Sequence, residues 1–485
     1  MMQRLDQWLR DVPGVPALSV RDLVMDSRQV GPGDAFIALP GARDDGRAHI
    51  ADAQRRGAVA ALVEHPVADA ALPIVVVPHL KRDAGARAAA FYGNPGQSLR
   101  CIGVTGTNGK TSIAYYLADL ASRLGHRCGY VGTIGWGQVG ALADASLTTP
   151  DPVTLQRQLA GLADAGCHWV AMEVSSHALA QGRVDAVPFR AAAFSNLTRD
   201  HLDYHGTMEA YGAAKARLFA WPTLETAVLN VDDPFGSQLV DRLAPDVRCL
   251  TCGEYQVEAV RSVAWSDLEF HRDGATGRWH TPWGETPFAL PVHAAFSVAN
   301  VAVSLALLCA AGVPLADVVH AARTLAQVPG RLEYLRVSGR PTVVIDFAHT
   351  PDALRQVLDT LRPRTQGRLV CVFGCGGDRD RGKRPLMAAA AEAAADNVWL
   401  TSDNPRSEDP RAIIADIRAG LSGRACVREE PDRRRAIASA IGEARADDLV
   451  VIAGKGHESY QEIAGVRTPF SDREIALECL TGVAA

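Results

Sequence analysis

The sequence predicts an α/β protein built from three domains, and three observations support this. The chain has 485 residues, which is too long for one ordinary hydrophobic core. Short apolar runs alternate with segments of helical periodicity, as in largely parallel sheets covered on both faces by helices. Two such series begin near residues 100 and 333, and a stretch resembling a β-meander separates them.

The composition is typical of a soluble globular protein. The net charge of -5 argues against bulk attraction to nucleic acid. No run approaches the ~18 apolar residues that a membrane span requires, so we expect no membrane insertion. Residues 1–10 lack the apolar centre of a secretory signal, which predicts a cytoplasmic protein. We expect it to act as a monomer.

Ten cysteines are scattered along the chain without a dense framework, so we expect reduced thiols. Cys249 and Cys252 have the spacing of a zinc half-site or a redox pair, but no second pair accompanies them. Buried or incidental thiols are therefore the favoured interpretation of this pair.

Residues 1–98 are predicted to form a small α/β N-terminal domain. Hydrophobic runs at 34–39 and 73–77 are typical of strands, and an alanine-rich stretch of helical character belongs to the same region. The segment 91–96 is rich in turn-forming residues and is predicted to link this domain to the next.

Residues 99–332 are predicted to form a central P-loop ATPase-like domain with a mostly parallel sheet. A strand at 101–104, a glycine loop and a helix at 112–124 open this domain. The other predicted elements are strands at 169–174, 191–194 and 227–230, a β-meander at 265–283 with a turn at 273–274, and a buried helix at 298–311.

Residues 333–485 are predicted to form a Rossmann-like C-terminal domain. Its strands are expected at 342–346, 369–374 and 449–453. Open parallel sheets bind ligands outside the carboxyl ends of their strands, so functional residues are expected at those ends.

The glycine loop at 105–111 has the context of a phosphate-binding loop, because it follows a strand and opens a helix. Its backbone N–H groups and the helix N-terminus can cradle phosphate oxygens. Lys110 can neutralise phosphate charge, and the Thr111 hydroxyl can hold Mg²⁺. Val104 stands where the full pattern has its first glycine. The loop nevertheless predicts an ATP site.

Polar residues that suit a magnesium site follow later in the chain. Glu173 closes a predicted strand, and the segment 196–206, which includes His201, concentrates polar groups. Oxygen ligands and an imidazole suit Mg²⁺ bound to nucleotide phosphates. Lys215 lies on the helix that follows, where composition alone predicts a solvated surface charge.

In their order along the chain, these motifs resemble those of the Mur ligases, the ATP-dependent enzymes that build the peptide of bacterial cell-wall precursors. The resemblance covers nearly the whole chain. Its motifs stand at 26–28, 33–34, 41–47, 105–111, 173–177, 196–206, 330–331, 346–354, 376–385 and 403–406. A stray nucleotide-binding loop would not produce such ordered agreement.

Within that family, the C-terminal motifs resemble those of the members that add the third residue of the stem peptide. The tetrapeptide 403–406, Asp-Asn-Pro-Arg, is associated with meso-diaminopimelate rather than L-lysine. A guanidinium and an amide can clasp the distal carboxylate and ammonium of diaminopimelate, and lysine lacks that carboxylate. The implied function is a ligase of peptidoglycan precursor synthesis.

The resemblance also implies roles for individual residues. The implied catalytic residues are Lys110, Glu173, His201 and Lys215. ATP is expected at Gly106, Thr107, Asn108, Gly109, Lys110, Thr111, Ser112, Asn300, Arg331 and His349. The UDP-sugar substrate is expected at Met25, Ser27, Arg43, Asp44, Thr148, Thr149, Ser175, Gln181 and Arg183. The amino acid is expected at Arg379, Asp403, Asn404, Pro405, Arg406, Gly454 and Glu458. Mg²⁺ is expected at Thr111, Glu173, His201 and a carbamylated Lys215.

The reaction implied by the resemblance passes through an acyl phosphate formed from the substrate carboxylate and ATP. Leu147 and Ser297 depart from the family pattern, which often has Asn at both positions. An L-lysine-adding relative and a folylpolyglutamate synthetase-like ligase are alternative enzymes. A nucleotide-operated switch is an alternative of a different class.

Overall fold

The computed structural model describes residues 2–41, 44–67, 71–145, 147–254, 261–271 and 273–482. The chain forms three domains, each with its own α/β core, and the predicted α/β class is confirmed. None of the helices in the described part of the chain is long and apolar enough to span a bilayer.

The N-terminal domain is built on a four-stranded parallel sheet of order β3-β4-β5-β6. Its strands are short and apolar because both faces are covered, as expected for a parallel sheet. The elements are β1 (Gln3–Arg4), α1 (Leu5–Trp8), β2 (Ser19–Val20), β3 (Leu23–Val24), β4 (Ala35–Ile37), α2 (Ile50–Arg55), β5 (Ala60–Val63), β6 (Ile74–Val76) and α3 (Leu80–Phe91).

The central domain begins with β7 and the helix that follows the glycine loop. Its elements are β7 (Arg100–Thr105), α4 (Lys110–Arg123), β8 (Cys128–Gly132), β9 (Gly135–Gln138), β10 (Ala141–Ala143), α5 (Pro152–Asp164), β11 (Trp169–Glu173), α6 (Ser176–Ala180), β12 (Phe189–Phe194), α7 (Leu202–His205), α8 (Met208–Ala216), β13 (Thr226–Asn230), α9 (Pro234–Val240), β14 (Arg248–Cys252), β15 (Arg261–His271), β16 (Gly274–Thr281), β17 (Gly284–Leu290), α10 (Ala295–Ala310) and α11 (Leu315–Ala322).

The central sheet has eleven strands in the order β10-β9-β8-β11-β7-β12-β13-β14-β15-β16-β17. The strands from β8 to β15 in this order are parallel, and antiparallel hairpins extend both edges. Successive residues enter opposite cores: Ala193 packs beside α4 and α10, whereas Phe194 packs beside α5 and α6. The predicted parallel sheet, meander and buried helix are all present.

The C-terminal domain has a six-stranded sheet of order β18-β19-β23-β20-β21-β22, in which only β18 is antiparallel. Its elements are β18 (Glu333–Leu335), β19 (Thr342–Asp346), α12 (Pro351–Leu361), β20 (Leu369–Phe373), α13 (Lys383–Ala394), β21 (Asn397–Leu400), α14 (Pro410–Arg418), β22 (Cys426–Glu429), α15 (Arg433–Glu443), β23 (Leu449–Ala453), β24 (Tyr460–Ile463), β25 (Val466–Pro469) and α16 (Asp472–Thr481).

The predicted segments 1–98, 99–332 and 333–485 each contain one of these three large sheets, and their boundaries stay a prediction. All ten cysteines are free thiols. Cys249 and Cys252 lie on β14 but pack into different cores on opposite faces of the sheet. That placement supports the buried-thiol interpretation rather than a shared metal site.

Candidate active site

A cleft of about 2260 Å³ lies between the domains, at the carboxyl ends of the central and C-terminal parallel strands. It is lined by the glycine loop, by Glu173 and His201 of the central domain, and by Asp403, Asn404 and Arg406 of the C-terminal domain. Gln29 reaches it from the N-terminal domain. The predicted position of the site at strand ends is therefore the one observed.

The glycine loop turns sharply between β7 and α4. Gly106 has φ +145°, and a Cβ there would lie 1.9 Å from Ser195 Oγ, so no other residue fits. Gly109, with φ +85°, is the N-cap residue of α4. The first N–H groups of α4 have no acceptor within the helix, and the residues that carry them line the cleft. Val104 is a fully buried residue of β7, so the turn begins after the position of the missing glycine.

Lys110 folds back over this loop. Its Nζ donates to Thr107 O at 2.8 Å and to Gly106 O at 3.0 Å. Burial lowers the pKa of the Lys110 ammonium, and the Glu173 carboxylate opposes that change. The loop thus holds a cation and unpaired helix N–H groups together, which is a site for an anion such as phosphate.

Glu173 is fully buried at the end of β11 and accepts four hydrogen bonds. Its Oε1 accepts from Tyr130 Oη at 2.5 Å and from Thr133 N at 2.8 Å. Its Oε2 accepts from Thr111 Oγ1 at 2.9 Å and from Thr133 Oγ1 at 3.0 Å. These four contacts fix the orientation of the carboxylate.

The donor set around Glu173 fits Mg²⁺. Adjacent ligands of an octahedral magnesium ion, with bonds of about 2.0–2.1 Å, are about 2.9 Å apart. Thr111 Oγ1 and Glu173 Oε2 are separated by this same 2.9 Å. Of the four predicted ligands, these two are in direct contact. His201 instead lies with its Nε2 3.4 Å from Asp200 Oδ2, and Lys215 contacts the glycine loop.

Lys215 is 1% exposed, so the surface position that composition predicts is wrong. It lies on the buried face of α8, its Nζ donates to Gly106 O at 2.6 Å, and the ring of Tyr211 lies 4.3 Å away. Burial lowers the pKa of this amine well below its ordinary value, and the Lys110 ammonium lowers it further. The folded protein therefore favours a neutral amine at Lys215.

Three predicted nucleotide residues line the opposite side of the loop. Asn300 is buried on α10, next to Gly109. The Arg331 guanidinium stacks 4.3 Å from the Phe347 ring and donates to Thr111 Oγ1 at 3.1 Å. His349 lies in the same cleft. Arg331, which precedes the C-terminal sheet, thereby connects the two larger domains at the loop.

The predicted amino-acid residues form a polar pocket around Asn404. Its Nδ2 donates to Glu458 Oε2 at 2.8 Å, and its Oδ1 accepts from Lys455 Nζ at 3.1 Å. Lys455 is fully buried and also pairs with Glu458 at 2.8 Å. Arg406, with φ +54°, donates to Gly377 O at 2.8 Å. The pocket thus combines both signs of charge.

The other amino-acid residues surround this pocket. Arg379 and Asp403 line the cleft, and Pro405 is buried behind it. Gly454 has φ +113°, and a Cβ there would lie 2.6 Å from Asp403 Oδ2. A side chain at position 454 would therefore displace the Asp403 carboxylate.

The residues predicted for the UDP-sugar substrate fall into two groups. Thr149, Ser175, Gln181 and Arg183 form one network beside Glu173: Thr149 Oγ1 donates to Glu173 O at 2.8 Å and Arg183 Nη1 donates to Thr149 O at 2.9 Å. Thr148 lines the cleft. The second group, Met25, Ser27 and Asp44, lies in the N-terminal domain and does not line it. Arg43 lies outside the described residues.

Three family descriptions match the chain in order: "Mur ligase family, catalytic domain" at 19–91, "Mur ligase middle domain" at 104–308, and "Mur ligase, glutamate ligase domain" at 330–456. The chain belongs to the Mur ligase family. The predictions of this family, of the three-domain fold and of a ligase are confirmed.

Curated relatives resemble this Mur ligase over nearly their full length. A protein of Ectopseudomonas mendocina is 51% identical over 95% of both chains, and one of Pseudomonas aeruginosa is 49% identical over 96% of this chain and 95% of that one. Both are named UDP-N-acetylmuramoyl-L-alanyl-D-glutamate–2,6-diaminopimelate ligase. A solved structure with the same name is 38% identical, covers 99% of each chain and superposes with a TM-score of 0.68.

Several residues of this Mur ligase that contact the site were not predicted from the sequence. They are Gln29, Tyr130, Thr133, Lys455 and His457. Lys455 and His457 follow β23 directly, so the rule that strand ends carry ligands could have found them. Thr133 directly follows β8 and Tyr130 lies within it, but that strand was not predicted from the sequence, so the rule could not be applied there.

Proposed function

We propose that this Mur ligase uses ATP to join meso-diaminopimelate to the D-glutamate γ-carboxylate of UDP-N-acetylmuramoyl-L-alanyl-D-glutamate. The observation that carries this proposal is the polar pocket of Asn404, Arg406 and Glu458, facing the same cleft as the glycine loop. The names of relatives about half identical over 95% of the chain support the same substrates.

The pocket chemistry suits the distal end of meso-diaminopimelate. That end carries a carboxylate and an ammonium, whereas the side chain of lysine ends in an ammonium alone. Arg406 offers a planar donor fork to a carboxylate, and the Glu458 carboxylate can accept from an ammonium. The Asn404 side-chain amide bonds to Glu458, and its backbone O lies 3.5 Å from Arg406 Nη1, so this residue contacts both partners.

The reaction proceeds in two displacements. A γ-carboxylate oxygen of the D-glutamate attacks the γ-phosphorus of ATP, the bond to the β,γ-bridging oxygen breaks, and ADP leaves. The amine nitrogen of the amino acid then attacks the acyl carbon, the C–O bond to phosphate breaks, and the amine loses a proton. Lys110 and the N–H groups of α4 offset the charge repulsion of the first step.

Thr111 and Glu173 are the residues proposed to hold Mg²⁺, with His201 and Lys215 completing the site. When bound, Mg²⁺ supplies positive charge that polarises the γ-phosphoryl group. The 2.9 Å separation of the Thr111 and Glu173 oxygens supports this assignment.

Lys215 is proposed to be carbamylated. A neutral amine is a nucleophile, and the burial of Lys215 favours that neutral form, so its Nζ can attack CO₂ and release a proton. The product is an anion, formed where the amine now donates to the Gly106 carbonyl and faces the Tyr211 ring. A Lys215→Ala enzyme should lose turnover and recover part of it when a small carboxylate is added. Full activity without added mass on Lys215 would remove it from the site.

The remaining assignments are proposed on similar grounds. The domain boundaries 98/99 and 332/333 are supported by the separate sheets on either side of each. Asn300, Arg331 and His349 are proposed to contact ATP, and the network of Thr149 and Arg183 to contact the substrate dipeptide. A cytoplasmic location is proposed, since the reaction consumes ATP, and the monomeric state stays a prediction.

The test is phosphate release from ATP in the presence of UDP-N-acetylmuramoyl-L-alanyl-D-glutamate and Mg²⁺. Three samples are compared, containing meso-diaminopimelate, L-lysine or no amino acid. We expect release to depend on meso-diaminopimelate. Equal phosphate release in all three samples would refute the proposed ligase reaction. Faster release with L-lysine than with meso-diaminopimelate would refute only the proposed amino-acid specificity. Folate-dependent release would indicate the folylpolyglutamate synthetase alternative.

A further inference from the structure

Thr133, in the turn between β8 and β9, contacts three different parts of the cleft. Its N–H and its hydroxyl bond to the two oxygens of Glu173, at 2.8 and 3.0 Å. Its hydroxyl lies 3.1 Å from Thr148 Oγ1. Its carbonyl oxygen lies 3.1 Å from Nε2 of His457, which belongs to the C-terminal domain. One residue therefore joins elements that are far apart in the sequence.

The chemistry of the partners sets the direction of each hydrogen bond. A carbonyl oxygen only accepts, so Nε2 of His457 carries the hydrogen and donates to Thr133 O. An ionised carboxylate also only accepts, so the Thr133 hydroxyl donates to Glu173. The hydroxyl of Thr133 then accepts from Thr148. The bond from Thr148 thus leads through the Thr133 hydroxyl to the Glu173 carboxylate, and His457 holds the carbonyl of the same residue.

His457 is rigidly connected to the amino-acid pocket. It precedes Glu458, and Glu458 N donates to Lys455 O at 3.0 Å, so residues 455–458 form one tight turn. The Lys455 ammonium bonds to the Glu458 carboxylate and to Asn404. Gly330 packs against this turn so closely that a Cβ there would lie 2.2 Å from His457 N. A shift of Glu458 therefore shifts His457.

We propose that His457 and Thr133 are positioning residues that couple the amino-acid pocket to Glu173. The turn 455–458 fixes the Thr133 carbonyl, and Thr133 fixes the carboxylate through two hydrogen bonds. The inference rests on the proposed function, which places the amino acid at Glu458 and a divalent cation at Glu173. Because coupling between two binding sites is reciprocal, the amino acid raises the affinity for the cation and the cation raises the affinity for the amino acid.

The test measures cation binding without turnover. Mn²⁺ is titrated into the full-length protein with ADP, with and without meso-diaminopimelate, and free Mn²⁺ is followed by electron paramagnetic resonance. In the wild type, meso-diaminopimelate should tighten Mn²⁺ binding by about fivefold or more. In His457→Leu the ratio of the Mn²⁺ dissociation constants without and with meso-diaminopimelate should fall to about one. In His457→Gln, whose amide nitrogen occupies the position of Nε2, most of the ratio should remain.

Two further variants keep the test decisive if His457→Leu unfolds. Thr133→Val removes the hydroxyl and should weaken Mn²⁺ binding by roughly twofold to tenfold, the worth of one hydrogen bond. Thr133→Ser keeps the hydroxyl and should restore the affinity. His320→Leu, on the exposed face of α11, is the matched histidine control and should behave as the wild type.

The outcomes separate this inference from the proposed function. Product formation by the wild type tests the function alone. The coupling is refuted, and the function stands, if product forms but meso-diaminopimelate does not tighten Mn²⁺ binding in the wild type. The same holds if meso-diaminopimelate tightens Mn²⁺ binding equally in the wild type and in His457→Leu. Wild-type Mn²⁺ affinity in Thr133→Val would likewise refute the role of Thr133. If no product forms with meso-diaminopimelate, the proposed function fails first.

Discussion

Replacing Glu173 with Gln should abolish turnover while leaving the fold nearly intact, because of the way its four hydrogen bonds are arranged. The donors to Oε1 include the backbone N–H of Thr133, which cannot reverse, so the glutamine oxygen should take this side. The donors to Oε2 are two hydroxyls, of Thr111 and Thr133. Hydroxyls can rotate and accept from the glutamine NH₂ group.

The cost to stability should be modest, about 2 kcal/mol, since the Thr133 hydroxyl can turn its hydrogen to Thr148 while the Thr111 hydroxyl loses its acceptor. The cost to cation binding should be large. At an effective dielectric constant of about 20, a carboxylate and a unit positive charge about 4 Å apart attract by about 4 kcal/mol. Losing that attraction corresponds to on the order of a thousandfold weaker cation binding.

Glu392→Gln is the matched control. Glu392 is also buried and accepts five hydrogen bonds, of which four come from the backbone N–H groups of residues 422–425. Either orientation of a glutamine there opposes an N–H that cannot reverse, so this variant should lose stability and keep its Mg²⁺ dependence. Thermal unfolding and Mg²⁺ activation curves are measured for both. A Glu173→Gln enzyme with wild-type turnover and Mg²⁺ requirement would refute the reasoning.

Three other substitutions test the amino-acid pocket, with the KM for ATP as the common internal control. Gly454→Ala should raise the KM for meso-diaminopimelate, because its Cβ would lie 2.6 Å from Asp403 Oδ2. Gly423→Ala is its control, since that position has φ +87° and nothing within 4 Å of a Cβ, so the variant should suffer only the backbone strain. Equal kinetics of the two variants would contradict the predicted clash. Arg406→Lys should raise the KM for meso-diaminopimelate roughly tenfold to a hundredfold, because the planar donor fork of the guanidinium is lost. An unchanged KM would show that Arg406 does not bind the amino acid. Lys455→Met should raise the KM for meso-diaminopimelate by a similar factor, because Glu458 loses its charged donor. A loss of stability with an unchanged KM would show that Lys455 has only a structural role.

Local patterns were sufficient to predict the phosphate loop, the helices α4 and α10, and the strands β7, β11, β12, β13, β19, β20 and β23, but not β8, β14, β21 or β22. A strand, a glycine turn and a helix are neighbours in sequence, so β7, the loop and α4 were placed within two residues of their observed bounds. The same patterns failed for Lys215, because the group that its amine contacts is the Gly106 carbonyl, which is 109 residues away in the sequence. They also missed Thr133 and His457, which are 324 residues apart and meet only when two domains dock. Such contacts depend on tertiary packing and leave no periodic signal.

The most direct test of the whole account is the product formed in competition. The purified enzyme is given ATP, Mg²⁺, UDP-N-acetylmuramoyl-L-alanyl-D-glutamate, and equal concentrations of meso-diaminopimelate and L-lysine, and the UDP-linked products are separated by mass spectrometry. We expect the meso-diaminopimelate tripeptide to form in proportion to the ADP released and to dominate the products. A predominance of the lysine tripeptide, or ADP release without either tripeptide, would contradict the account.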